Sequence, residues 1–63
     1  MPAPSNWLTE KAAANYVSLS PSMLRKLRYR GGGPAYHRMG RAIRYRCADL
    51  DAWIESVRVE EVA

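Results

Sequence analysis

The chain has 63 residues and a formal net charge of +4, enough for one small domain with a modest core. Cys47 and His37 are its only cysteine and its only histidine, which excludes an internal disulfide and the four Cys/His ligands of a structural zinc site. No apolar run approaches the roughly 20 residues of a membrane span, and the start lacks the basic and apolar stretches of a signal peptide. A reduced, cytoplasmic protein without cofactor is the expectation.

Residues 1–6 read as a disordered lead-in, 7–58 as the domain and 59–63 as a frayed tail. The first helix is expected to start after Thr9 as N-cap, with Glu10 on the favourable end of the helix dipole and Lys11, Ala12, Ala13 and Ala14 as strong helix formers. Ala13, Tyr16 and Val17 give its apolar spacing, and Trp7 and Leu8 are expected to fold back on the first turn as a staple. After the turn at Ser18 and Leu19, Ser20 caps a second helix with Pro21 at its first position. That helix should run to Arg30, where Gly31, Gly32, Gly33 and Pro34 stop it.

Two short strands should follow, turning at Gly40. In the second, Ile43 and Tyr45 share an inward face, with Arg44 and Arg46 opposite. For the first, inward pairs of Tyr36 with Arg38, or of His37 with Met39, stay open. The last helix should cover about residues 48–57, with Leu50, Trp53, Ile54 and Val57 as its apolar stripe and Asp49 and Asp51 in its first turn. The fold class is mainly α with a small β-hairpin: a winged helix-turn-helix.

The charge is polarised along the chain. Residues 25–46 hold Arg25, Lys26, Arg28, Arg30, Arg38, Arg41, Arg44 and Arg46 with no acid among them. Lys11 and Arg58 elsewhere face Glu10, Asp49, Asp51, Glu55, Glu60 and Glu61. A dense basic segment, seven of its eight cations arginine, suits a polyanion, since the planar guanidinium fits phosphate and guanine edges. A solvated basic face without partner is the plainer alternative.

In a helix-turn-helix unit the second helix enters the major groove. Ser22, Arg25, Lys26 and Tyr29 follow i, i+3, i+4, i+7 and share its outward face, with Leu24 and Leu27 inward. Arg25 is the candidate for guanine. Ser20, Arg28 and Arg30 are candidates for phosphate. Arg38 and Arg41 at the wing tip suit a minor groove, and Arg44 and Arg46 extend the cationic edge. Trp7, Tyr36, Tyr45 and Trp53 could stack on single-stranded nucleic acid, but a small domain without phenylalanine needs them for burial. No arrangement of Ser, His, Cys or paired acids suits catalysis, so an enzyme is not expected.

Five segments together resemble the excisionase family of small DNA-binding proteins: Trp7-Leu8-Thr9-Glu10-Lys11-Ala12-Ala13, Ser20-Pro21-Ser22-Met23-Leu24-Arg25-Lys26-Leu27, Gly32-Gly33-Pro34, Met39-Gly40-Arg41-Ala42-Ile43-Arg44-Tyr45-Arg46 and Asp49-Leu50-Asp51-Ala52-Trp53-Ile54. That family overlaps with phage regulators of the AlpA type and with the MerR-like winged helix. The resemblance implies a protein of bacteria, phages or integrative elements that binds double-stranded DNA and biases a tyrosine integrase toward excision. It also implies cooperative self-association on DNA, with Ser22, Arg25 and Lys26 in the major groove and Arg41 as the wing contact. Alternatives of the same fold are a small transcription regulator and a protein-binding antiactivator; Arg25 and Lys26 oppose the latter. Two positions depart from the family. Ser18 stands where glycine is usual at a turn needing positive φ, and Ala48 stands where Ser or Thr often caps the last helix.

Overall fold

In the computed structural model, residues 6–60 are described, so the expectations for residues 1–5 and 61–63 lie outside them. The elements, in chain order, are β1 (Trp7–Leu8), α1 (Glu10–Tyr16), α2 (Pro21–Arg30), β2 (His37–Met39), β3 (Ala42–Arg46) and α3 (Cys47–Ser56).

Local chemistry sets both helix starts of the helix-turn-helix unit. The Thr9 side chain accepts from the Ala12 N–H at 3.1 Å, and Ser20 Oγ from the Met23 N–H at 3.1 Å. Each thereby satisfies an N–H that has no partner inside its own helix. The turn between the helices closes with the Leu19 N–H on the Ala14 carbonyl at 2.8 Å. Ser18 takes φ 61° there, the left-handed conformation that glycine adopts without strain.

The sheet has the order β1-β3-β2 and is antiparallel throughout. Trp7 pairs with Arg46 and Leu8 with Tyr45, while His37, Arg38 and Met39 pair with Arg44, Ile43 and Ala42. Trp7 and Leu8 therefore form an edge strand, their backbone finding hydrogen-bonding partners in a distant segment, while Leu8 packs against the core cluster that includes Ala13 and Ala14 of α1. The pairing runs on into the last helix, where the Cys47 N–H donates to the Asn6 carbonyl at 3.0 Å. Between β2 and β3 only Gly40 and Arg41 remain. Gly40 has φ 63°, which a tight two-residue hairpin demands at its first position.

The core consists of Ala13, Ala14, Leu24, Tyr45 and Leu50, with Leu8, Val17 and Ile43 packed against it. The two alanines let α1 lie close to its neighbours, and Leu24 and Leu50 bring one residue each from α2 and α3. Burying a leucine is worth roughly 1.5–3 kcal/mol, so a core this small leaves a modest stability. Gly33 lies against α2: a Cβ there would sit 2.8 Å from Leu27 Cβ, so the loop closes on the helix only with glycine.

Several expectations about burial change. Ile54 and Val57 are exposed at 41% and 50%, and Trp53 is half-buried, its indole N–H donating to the Gly32 carbonyl at 2.8 Å. Tyr16 and Tyr36 are exposed, Tyr16 donating to Asp51 at 2.8 Å. Neither face of β2 is buried, since His37, Arg38 and Met39 are all exposed. The last helix starts one residue before the expected span. Its N-cap is Arg46, not Ala48, with no side-chain cap hydrogen bond; the strand pairing at Cys47 sets its start instead.

Candidate nucleic-acid interface

The outward face of α2 carries Ser22, Arg25, Lys26 and Tyr29, all exposed, while Leu24 is buried and Leu27 half-buried. The helix thus divides as its 3.6-residue period requires. Ser20 Oγ, already accepting from Met23, lies 3.3 Å from Ser22 Oγ. Ser20 is therefore mainly a cap, and it holds the start of α2 with its N–H groups outward. Such a terminus favours an anion.

Arg25, Lys26, Arg30, Arg38 and Arg41 are exposed and make no salt bridge among the described residues. An exposed cation outside any ion pair stays available to phosphate; Arg25 is near enough to Glu10 to act on its carboxyl through space without pairing with it. Arg41 lies in the two-residue hairpin turn, and Arg38 stands in β2 two positions before Gly40, paired with Ile43. Arg44 is half-buried and folds back so that Nη1 donates to the Ile43 carbonyl at 2.8 Å. Arg46 is exposed, faces Asp49 at 3.5 Å and lies over the Trp7 ring at 5.8 Å.

Arg28 is placed otherwise than expected. Its side chain is 9% exposed, with Nε 2.8 Å from one Glu10 carboxylate oxygen and Nη2 3.4 Å from the other. The Tyr45 hydroxyl donates to the same carboxylate at 3.1 Å. One acid thus joins α1, α2 and β3, and Arg28 is turned from phosphate to the interior. The hydrogen bond from Arg28 holds the Glu10 carboxyl below its ordinary range, against the opposing effect of burial and with help from Tyr45. Glu10 in turn raises the Arg28 pKa, and burial together with the bond to Glu10 pushes the Tyr45 hydroxyl up to about 12. A sequence signal for this pairing exists: Arg28 follows Leu24 and Leu27 at i+4 and i+1, on the inward stripe.

Trp7 and His37 also escaped the sequence reading as a pair. Their rings meet edge to face at 4.8 Å, and His37 Nε2 lies 3.7 Å from Asp49 in the first turn of α3. Among the described residues, no group of three or more His, Cys, Asp or Glu could hold a metal ion. No helix there is long and apolar enough to cross a membrane.

Two capped helices in a tight turn, an outward cationic face on the second and a hairpin wing define a DNA-binding winged helix-turn-helix. A family model described as a helix-turn-helix domain matches residues 7–58, nearly the whole chain. The protein belongs to that family, the AlpA- and excisionase-like small DNA-binding proteins. No curated protein matches the chain.

Proposed function

We propose that the protein is an excisionase, which binds double-stranded DNA beside an attachment site and biases a tyrosine integrase toward excision of a mobile element. Arg25 and Lys26 with Ser22 and Tyr29 read the major groove. Arg30 and the start of α2 take phosphates, and Arg38 and Arg41 take the flank of the duplex. The protein contributes no catalysis; it shapes the DNA on which the integrase acts, in the bacterial cytoplasm.

The observation that supports this reading best is the coincidence of exposure and free charge on α2 and the wing. A module this small gains affinity by binding beside copies of itself, where neighbours raise the effective concentration. The acidic residues Asp51 and Glu55 are exposed on α3 and offer the basic wing of a neighbour a complementary surface.

Binding to attachment-site DNA and to promoter DNA of its own genetic element tests the assignment, together with integrase-dependent excision in the presence and absence of the protein. Preference for the attachment site with stimulated excision supports an excisionase. Preference for a promoter, with no effect on excision, assigns a transcription regulator of the same fold instead.

A further inference from the structure

Arg28 lies on the inward stripe of α2, yet its guanidinium reaches two aromatic rings. Its central carbon is 4.8 Å from the centroid of Tyr29 and 5.8 Å from that of Tyr36. Tyr29 stands on the outward face of α2 and is 74% exposed. Tyr36 belongs to the loop that leads into β2 of the wing, and its ring lies 6.1 Å from that of Tyr45.

Neighbouring helix residues diverge by about 100°, so Arg28 and Tyr29 meet only because both lean to the same side. An unsupported tyrosine on a helix surface samples several rotamers, and ordering it on binding costs entropy. A cation on the ring face offsets that cost in advance. The cation itself is fixed, because Glu10 receives it through two nitrogens. A guanidinium bonded to a carboxylate in its own plane keeps its faces for rings, which a lysine ammonium cannot do.

The geometry points to Arg28 as a positioning residue for DNA recognition: anchored on Glu10, it sets Tyr29 of the recognition helix and Tyr36 at the root of the wing in one fixed relation. The inference rests on the DNA-binding reading and gives a role there to a residue that touches no DNA.

The test is a double-mutant cycle. The probe is a duplex recovered from a randomised library by repeated selection with the wild-type protein, and a scrambled duplex is the reference. Dissociation constants are measured by fluorescence anisotropy for wild type, Arg28→Lys, Tyr29→Ala and the double variant, each first checked for folding by circular dichroism. Arg28→Lys is expected to weaken the selected duplex roughly fivefold, the size of a cation–π contact. In the Tyr29→Ala background the same substitution is expected to change affinity by less than about twofold. An equal loss in both backgrounds overturns the proposal and leaves DNA binding standing. Failure of the wild type to bind any duplex overturns the DNA-binding reading itself, and the proposal with it.

Should Arg28→Lys fail to fold, nuclear magnetic resonance of Tyr29→Leu decides. An upfield ring-current shift of the Arg28 side-chain protons in wild type, reduced in Tyr29→Leu to what the Tyr36 ring leaves, supports the proposal. Arg28 resonances that do not change overturn it.

Discussion

The Glu10 carboxylate accepts the Arg28 Nε–H at 2.8 Å, and this contact ties the first helix of the motif to the second. Glu10 is also the acceptor for Tyr45 of β3. Replacing it by glutamine keeps the shape and removes the charge, leaving a guanidinium that is 9% exposed without its counter-ion. Glu10→Gln at this part-buried pair is expected to cost roughly 1–2 kcal/mol and to lower the melting temperature by about 5–10 °C, read by circular dichroism.

The same network limits stability at both ends of the pH scale. Glu10 has its pKa lowered on folding. Its contribution is therefore complete above the ordinary value of 4.5 and is lost as pH falls through the lowered folded value. Tyr45 has its pKa raised, so its contribution is complete below 10.0 and is lost as pH rises through about 12. Thermal melts across pH should show both declines in wild type. In Glu10→Gln, the part of the acid decline due to Glu10 should be absent.

Ser18 holds φ 61° in the turn between α1 and α2. A left-handed residue with a side chain costs about 1 kcal/mol more than glycine there. Ser18→Gly is expected to stabilise the protein by roughly 0.5–1 kcal/mol, after the entropy that glycine loses on folding is set against the strain. Chemical denaturation with an unchanged slope checks it.

Much of this architecture is local and could be read in the sequence. Thr9 and Ser20 as caps, α2 from Pro21 to Arg30 and Gly40 in the hairpin turn all depend on neighbours within four residues, whereas the positive φ at Ser18 was implied by the family resemblance. So does the outward quartet of Ser22, Arg25, Lys26 and Tyr29. What escaped depends on partners far along the chain. Trp7 and Leu8 become a strand because residues 45 and 46 lie beside them. The start of α3 at Cys47 follows from the carbonyl of Asn6. Arg28 leaves the phosphate set because Glu10 stands 18 positions earlier in the chain. Composition counted Arg28 among eight like charges, whereas its helical register already placed it with Leu24 and Leu27.

The half-buried Trp53 anchors the glycine loop through its indole bond to Gly32 at 2.8 Å. Trp53→Phe keeps most of the ring and loses the donor. A loss of about 1 kcal/mol is expected, with faster amide exchange across residues 31–33 as the local readout.

Glu55 is exposed on α3 and makes no salt bridge among the described residues. If neighbouring molecules on DNA meet through α3 and the wing, Glu55→Lys should reduce cooperativity on a DNA carrying adjacent sites. Its affinity for a single isolated site should hold or rise slightly. Unchanged cooperativity would count against that arrangement.

Arg25 and its neighbours on α2 are expected to bind a DNA duplex, which salt-dependent affinity measures. Wild type and Arg25→Ala are titrated against the selected and scrambled duplexes at two salt concentrations. Wild type should bind in a salt-sensitive manner, and Arg25→Ala should lose about 1–3 kcal/mol on the selected duplex, with a smaller loss on the scrambled one. Equal binding of both proteins to both duplexes, or no binding by either, would contradict that expectation.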